Sequence, residues 1–520
     1  MGSVRSAIIS AVIVGGGQIY SGRIWTGVWL AIIFYGTIAL MAVIWTGINQ
    51  AFWMLIAAWL IVWLYNIIDA YKGPTYNKPP CERECPARMP SWIYLNFLAG
   101  KTDQVFPFWP FFRTLGMICP APCEDKCTRR AIDQPVSIRY LKSFIKTTKQ
   151  PESTREPKFK VAVVGAGPCG LAFAYALSLR GHRVTVLEKE TSPGGILKHY
   201  IPKFRLPPSV LDRDINDLLV GNIELRCGTE VGKDIQLADL FKNFDRVFLA
   251  TGAWQEQKLG IPGEEECLTG LELLREAKRG KSFKIGTVGV IGGGNTAFDV
   301  ARTLRRFAND VTIFYRRRIE DMPAERESIT EAQAEGIKIE PLVLPVGVAA
   351  RKVKFVRTEL VDGKPIPVKK SEFQVELDKV VVAIGQTPDP GFVRGSVTVG
   401  TGGRIAVRNS RTSDGRIFAG GDVVLGASTL AHAVGQGLEA AETVDFNLRR
   451  IPRFWGRFVR KSYFPKVKML PFTSAAKLAI PTRPVGDRVK DFGPVETSTS
   501  PEGVCAEAGR CLTCPLKYRL

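Results

Sequence analysis

The chain has 520 residues, with 71 Lys plus Arg against 50 Asp plus Glu, a formal charge of +21. With 45% hydrophobic and 23% charged residues it is not a disordered chain, and at roughly 100–200 residues per domain it exceeds any single small binding module. Only three His occur (His182, His199, His432), whereas eleven Cys gather mostly between Cys81 and Cys127 and between Cys505 and Cys514. Such clustering suits metal ligation better than a disulfide framework, and the chemistry is expected to be carried by a cofactor.

From Ile24 to Ile68 there is no charged residue. About 20 apolar residues cross a bilayer core, so two transmembrane helices are predicted, at about 24–46 and 50–68, joined by Gly47-Ile48-Asn49-Gln50. The run is too long for a signal peptide, and the segment from Ala7 to Val14 is too short to span. Arg5 and Arg23 on one flank and Lys72 and Lys78 on the other place both ends on the inside. The expectation is a multi-pass protein of the cell (inner) membrane, in contact with lipid, with its catalytic part cytoplasmic.

Next come Cys81-Glu-Arg-Glu-Cys85-Pro86 and Cys119-Pro-Ala-Pro-Cys123-Glu-Asp-Lys-Cys127. Four thiolates at C-x3-C-P and C-x3-C-x3-C spacing suit iron–sulfur ligation, although four Cys could also hold zinc tetrahedrally.

After a polar linker, the apolar run from Lys160 to Val164 leads into Gly165-Ala-Gly167-Pro-Cys-Gly170, an Ala/Leu-rich helix, and a second strand ending at Glu188. In this pattern Gly165 makes the tight turn, Gly167 admits a pyrophosphate to the backbone, and Gly170 lets helix pack on strand. The helix N-terminus attracts the phosphates, and Glu188 stands where it can accept hydrogen bonds from ribose hydroxyls. The pattern recurs. A strand from Thr287 to Ile291 precedes Gly292-Gly-Gly294-Asn295-Thr296-Ala297, and the strand that follows ends in Arg316-Arg317-Arg318 instead of an acid. An acid there would repel a 2′-phosphate and Arg attracts one, so the second site reads as NADPH-binding.

Strands ending in Ala250-Thr251-Gly252 and Ala383-Ile384-Gly385, and later Gly420-Gly421-Asp422, complete the series. This order resembles a two-dinucleotide flavoprotein. The likeness implies FAD on the first Rossmann domain, NADPH on an inserted one, and a returning chain that closes the FAD site through Gly421 and Asp422. A disulfide reductase would need a Cys pair in these domains, and Cys169, Cys227 and Cys267 stand apart. A flavin that accepts hydride must pass electrons on singly, which favours iron–sulfur over zinc at the cysteines.

Cys119-Pro-Ala-Pro-Cys123-Glu, Gly194-Gly195-Ile-Leu197 with Ile201-Pro-Lys-Phe-Arg-Leu-Pro207, and Tyr315-Arg-Arg-Arg with Met322-Pro-Ala324 resemble signatures of the glutamate synthase small-subunit family, which includes the amino-terminal half of dihydropyrimidine dehydrogenase. The resemblance runs from about Cys81 to Leu448. It implies FAD near Gly195, Thr251 and Gly252, NADPH, and two [4Fe–4S] clusters, one on Cys85, Cys119, Cys123 and Cys127. The family carries C-x2-C upstream of Cys81, and this chain has no Cys there. Its carboxyl end reads Cys505-Ala-Glu-Ala-Gly-Arg-Cys511-Leu-Thr-Cys514, so the tail is expected to fold over the cluster domain of its own chain or of a dimer mate and supply Cys505, Cys511 and Cys514, with Cys81, to a second cluster. No glutamate-forming domain is present, so glutamate synthesis is not expected of this chain.

The expected fold class is α/β: two nested Rossmann-like domains, a helical iron–sulfur domain and an N-terminal transmembrane hairpin. Its parts are the hairpin at 1–75, the iron–sulfur domain at 76–150, FAD-binding segments at 156–280 and 394–448 around an NADPH domain at 281–393, and a basic linker and cysteine tail at 449–520. The stretch from Arg449 to Lys468 mixes eight basic residues with five aromatic ones and no acid, which suits an anionic membrane surface better than nucleic acid. The expected function is electron transfer between NADP(H) and a redox partner protein. A membrane quinone reductase and a non-catalytic anchor or adaptor are the alternatives.

Overall fold

The computed structural model describes residues 28–37, 56–66, 78–102, 108–145, 158–450 and 474–514. The chain divides into two compact units. One comprises 1–80, 449–471 and 512–520, and the other 81–448 and 472–511.

In the first unit, residues 28–37 and 56–66 are helical. Leu30 and Phe34 are buried against Trp59, Val62 and Trp63, with the Phe34 and Trp59 rings 5.0 Å apart, so the two helices pack on each other. Their other faces expose Trp29, Ile32, Ile61 and Tyr65. Among the described residues no helix is long and apolar enough to cross a membrane. At 1.5 Å per residue either described stretch reaches on the order of 15 Å, about half of a bilayer core. The predicted hairpin is therefore not shown. The rest of both spans, the turn at 47–50, Arg5, Arg23, Lys72 and the basic stretch after Arg450 lie outside the described residues.

The second unit is built on two parallel sheets of the same design. The first contains β1 (Lys160–Val164), β2 (Arg183–Glu188), β3 (Ile223–Cys227), β4 (Arg246–Leu249) and, much later, β14 (Ile417–Ala419), in the order β14-β4-β1-β2-β3. The second contains β5 (Leu268–Thr269), β6 (Ile285–Ile291), β7 (Ala308–Tyr315), β8 (Lys338–Pro341) and β13 (Lys379–Val382), in the order β5-β13-β6-β7-β8. Continuous apolar runs such as Val-Ala-Val-Val form strands covered on both faces, which is what a parallel sheet between helices requires. The first sheet is interrupted between β4 and β14 by the second, so one fold is nested in the other. The strand β5 and its helix already belong to the second sheet.

Crossover helices cover these sheets: α3 (Pro168–Ser178) after β1, α5 (Gly270–Lys278) after β5, and α6 (Asn295–Leu304) after β6. Helix α3 is buried on every side because the long helix α8 (Leu430–Leu448) lies against it. The approach depends on Gly437, where a Cβ would come within 2.4 Å of the Cys169 carbonyl oxygen. An antiparallel sheet, β9 (Val343–Ala349), β10 (Lys352–Val361), β11 (Lys364–Pro367) and β12 (Phe373–Glu376), packs on the second parallel sheet, with Phe355 stacked on Phe314 at 4.4 Å.

A helical subdomain precedes the first sheet. Its helices α1 (Ser91–Leu98) and α2 (Phe112–Ile118) are joined through Tyr94, which packs edge-on against Phe112 and donates to the Ile138 carbonyl at 2.9 Å. Helix α4 (Pro208–Leu218) fixes α2 to the nucleotide domains: buried Asp214 accepts from the Thr114 N–H and from Arg113. The carboxyl-terminal segment then runs back across the NADPH half as an extended strap and ends as α9 (Pro501–Gly509) against α1.

Candidate functional site

The turn after β1 forms the first cradle. Gly165 has φ +104° and faces the end of β4, where a Cβ would lie 2.5 Å from the Ala250 carbonyl. At Gly170 a Cβ would strike the Gly165 carbonyl at 2.0 Å, so helix and turn touch backbone to backbone. At Gly167 an added Cβ would meet nothing within 4 Å. This open space before a helix N-terminus is the cradle a pyrophosphate needs.

Glu188, at the end of β2, is buried. Its carboxylate accepts the Ala166 N–H at 2.6 Å and the Glu190 N–H at 2.9 Å, and burial raises its pKa. Two acceptor oxygens leave capacity for a ribose hydroxyl beyond those two bonds. Gly195 (φ +55°) packs on Gly167, and among the described residues the buried Thr251 hydroxyl has no partner. Gly421 (φ +76°) leaves no room for a Cβ above Cys169, and its N–H donates to the Gln436 side chain at 2.6 Å. Asp422 beside it is held by the Ser428 hydroxyl at 2.5 Å, with its pKa raised by burial. Gln436 had no mark in the sequence, because it serves this turn only after α8 has folded back on it, and Ser428 meets Asp422 through the loop just before α8.

The second cradle repeats the first. Gly292 has φ +145° and stands where a Cβ would lie 2.2 Å from the Ala383 carbonyl at the end of β13, while Gly294 faces open space. Ala297 is fully buried, as the helix-packing position requires. Asn295 clamps the next loop by accepting the Glu325 N–H at 2.9 Å, and Thr296 lies 3.4 Å from the Gln386 amide. At the end of β7 the three arginines part ways. Arg318 pairs with Asp321 at 2.9 Å, whereas among the described residues Arg316 and Arg317 pair with no carboxylate, and the Arg317 Nε is buried without a partner. An orphaned guanidinium at the ribose end of such a cradle fits a 2′-phosphate.

Both cradles open into one cavity of about 850 Å³. Pro168 and Asp422 line it from the first, and Gly294, Arg316 and Arg317 from the second. Ile118, the residue before Cys119, also lines it.

The cysteines lie around Tyr94. Cys119 and Cys123 are buried, Cys85 half-buried, and these three lie close enough for each thiolate to act on its neighbours. Burial is the main cause that raises the Cys85 and Cys123 thiols. Backbone N–H groups of Met89 and Ala121 donate to Cys85 Sγ and Cys119 Sγ, each at 3.4 Å. Cys81 acts on Tyr94 together with Cys85 and Cys123, and Cys127 acts on Arg129. Among the described residues, however, no three Cys, His, Asp or Glu side chains are arranged to hold a metal ion. Neither predicted ligand set is shown to be closed, whether Cys85, Cys119, Cys123 and Cys127 or the set with Cys81, Cys505, Cys511 and Cys514.

The tail does dock on the cysteine subdomain up to Cys511. Glu507 accepts from the Ser137 N–H, Arg510 bonds Asp133 and the Gln134 carbonyl, and Lys101 donates to the Gly509 and Cys511 carbonyls. Cys511 is buried and Cys505 exposed, while Cys514 belongs to the first unit.

The family model for pyridine nucleotide-disulphide oxidoreductases matches residues 159–437. The chain belongs to this family. It is accordingly an NAD(P)H-dependent oxidoreductase with the fold that binds FAD and NADPH.

The chain is 34% identical over 507 residues to the NADP(+)-dependent formate dehydrogenase subunit beta of Moorella thermoacetica, covering 85% of this chain and 72% of that one. It is 33% identical over 435 residues to the NADPH-Fe(3+) oxidoreductase subunit beta of Geobacter sulfurreducens, covering 74% of this chain and 64% of that one. The NAD-dependent dihydropyrimidine dehydrogenase subunit PreT of Escherichia coli is 30% identical over 403 residues, 74% of this chain and 95% of that one. In structure the oxidoreductase is similar to Mycobacterium tuberculosis FprA in complex with NADPH, with a TM-score of 0.50 at 16% identity over 65% of this chain and 90% of that one.

Proposed function

We propose that this oxidoreductase is the pyridine-nucleotide module of a larger assembly, passing electrons between NADP(H) and a partner protein through FAD and [4Fe–4S] clusters. The observation that carries the reading is one cavity reaching from Arg316 and Arg317, which pair with no carboxylate among the described residues, past Asp422, to Ile118 beside Cys119. The relatives support it: their names pair formate, Fe(3+) and dihydropyrimidine with a nicotinamide nucleotide, NADP(H) in the first two and NAD in the third, so the second substrate varies while a nicotinamide nucleotide is common to all.

In this reading the Gly165–Gly170 turn, Glu188 and Asp422 hold FAD, and the Gly292–Ala297 turn with Arg316 and Arg317 holds NADPH. Cys85, Cys119, Cys123 and Cys127 hold one cluster, and Cys81 with Cys505, Cys511 and Cys514 a second. FAD when bound exchanges hydride with NADP(H), and the clusters accept and deliver its electrons singly. The protein supplies the rest: the two cradles orient the dinucleotides on one cavity, the arginines select the 2′-phosphate, and the buried cysteines keep solvent from the exit.

The purified protein should contain flavin, iron and acid-labile sulfide, and NADPH should bleach the flavin far faster than NADH does. A preparation with flavin but no iron would defeat the cluster reading, and equal rates with NADH would defeat the NADPH assignment. Anchoring in the cell membrane, with the nucleotide unit cytoplasmic, is supported by the uncharged run from Ile24 to Ile68 and by the exposed apolar faces of its described helices. Extraction by alkaline carbonate without detergent would count against it.

A further inference from the structure

A second cavity, of about 200 Å³, shares no wall residue with the one into which the dinucleotide cradles open. Three stretches far apart in sequence build it. Pro202 and Lys203 come from the Ile201–Pro207 motif of the first half, Lys278 from α5 and Thr303 from α6 of the second half, and Phe492 from the strap. Leu274 of α5 and Phe307, just after α6, complete the apolar part of the wall. Sites for drug-sized ligands enclose roughly 300–1,000 Å³, so an occupant here is smaller than those.

The fold leaves several polar groups of this wall open. Thr303 is 1% exposed, yet among the described residues its hydroxyl has no hydrogen-bond partner. The Lys278 ammonium donates to two carbonyls of the first half, Leu197 at 2.8 Å and Ile201 at 2.5 Å, and has a third N–H to give. The neighbouring cations are neutralised: Lys198 by Asp212 at 2.5 Å, and Lys281 at the rim by Glu276 at 3.2 Å. Among the described residues Lys278 and Lys203 pair with no carboxylate, and the Lys203 charge acts on Lys278. Two ammonium groups without a counter-charge and one unsatisfied hydroxyl therefore line a small space walled otherwise by carbon. Burying cations is costly unless an anion faces them, and a carboxylate offers acceptors for every one of these donors. Inorganic phosphate, polar on all sides, would leave the apolar wall unmatched.

We infer that this cavity is a binding site for a small monocarboxylate with an apolar body, its carboxylate held by Lys203, Lys278 and Thr303 and its carbon skeleton set against Leu274, Phe307 and Phe492. The inference does not depend on the proposed function, since none of these residues belongs to a cradle or to the cysteine subdomain. The first half, the inserted half and the strap each supply a wall, so an occupant binds only when all three are docked and stabilises that docked state.

The test uses the full-length protein, in detergent if needed, with benzoate as the probe. Isothermal titration calorimetry should show saturable binding of benzoate, and the unfolding temperature should rise with benzoate concentration. Benzyl alcohol, which keeps the ring without the charge, and inorganic phosphate, which has charge without a ring, should each bind more weakly than benzoate. Lys203→Met and Thr303→Val should each weaken benzoate binding by about tenfold, the size of a lost hydrogen bond to a charged group, while Lys203→Arg should retain it. Circular dichroism checks that the variants are folded. Independently of any variant, crystals of wild type soaked with a brominated benzoate should show the bromine beside Phe307 and Phe492. Absence of saturable binding would overturn the inference, as would unchanged affinity in the folded Lys203→Met and Thr303→Val variants, benzyl alcohol or phosphate binding as tightly as benzoate, or a bromine found only elsewhere. Binding lost on replacing Arg316 and Arg317 by Ala but kept in Lys203→Met would place the carboxylate in the dinucleotide cavity and overturn it too.

Discussion

The two nucleotide halves solve one packing problem in the same way and part at a single place. In each, the first glycine of the turn sits at positive φ against the carbonyl that ends a neighbouring strand, Ala250 for Gly165 and Ala383 for Gly292. Each leaves open space at the third residue of the turn, Gly167 or Gly294. The difference lies at the end of the second strand. There the first half buries Glu188 on backbone N–H groups, while the second presents Arg316 and Arg317 without an acid. A common backbone makes both cradles, and the charge at one strand end is where they differ.

The comparison breaks most visibly at the first glycines. Gly165→Val and Gly292→Val each force a β-branched residue into a left-handed conformation, about 1–3 kcal/mol of strain before the clash with the facing carbonyl is counted. Gly165→Val should be isolated without flavin. Gly292→Val should keep its flavin and lose NADPH-driven reduction by about 100-fold, given roughly 1.4 kcal/mol per tenfold. Flavin absorbance and stopped-flow bleaching distinguish the two, and flavin loss in both would mean that the halves are not separable.

A smaller effect sharpens the difference at the strand ends. Arg316→Ala with Arg317→Ala should reduce the preference for NADPH over NADH by about 10–100-fold, from roughly 1.5–3 kcal/mol for hydrogen bonds to a charged group. The change should appear mainly in the Michaelis constant for NADPH, because the 2′-phosphate is bound alike before and during reaction. A preference that survives both substitutions would assign specificity elsewhere.

The second half is also held from outside, by the strap. Arg139 of the cysteine subdomain is buried between Glu496 of the strap and Glu327 of α7 (Arg326–Ala334), and Tyr140 donates to the Thr497 carbonyl. Glu496→Gln leaves the guanidinium with one exposed carboxylate and should cost about 1–3 kcal/mol, less than the roughly 3–5 kcal/mol of a fully stranded buried charge. Asp321→Asn, at the solvent-facing pair with Arg318, should cost less than Glu496→Gln, because solvent screens an exposed pair. Urea unfolding followed by tryptophan fluorescence would order the two, and a reversed order would make the strap dispensable.

A pH-dependent effect lies at the seam between the halves. Lys278, on α5 of the second, donates to the Leu197 and Ile201 carbonyls of the first, and burial lowers its pKa to about 8. Unfolding returns it to the ordinary range, so above about pH 8 the unfolded chain holds more protons and the cost of burying the charge is progressively relieved. Wild type should therefore gain stability relative to Lys278→Met as pH rises from about 8 to 10. Parallel profiles would show that the buried amine does not titrate there.

Much of the nucleotide machinery was readable in the chain because it is local. A strand, a glycine turn and a helix are contiguous, and the acid or base that follows comes within about 20 residues, so short-range geometry alone brings them together. Nothing comparable marked Gln436 for the Gly421 N–H, Ser428 for Asp422, or Arg139 for Glu496. These contacts join residues whose separation in sequence carries no period, and they exist only after α8 and the strap have closed over the sheets.

The cysteines lie between these cases. The family resemblance grouped Cys85, Cys119, Cys123 and Cys127, the structure brings the first three of these near one another, and the docked tail brings the segment up to Cys511 onto the same subdomain. Composition and motif order were enough to establish two nested dinucleotide folds, since glycine conformations and strand-end charges are properties of single residues and their neighbours. Which groups share a cavity and what fastens the inserted half were settled by folding alone, because burial and charge pairing depend on everything that packs around a residue.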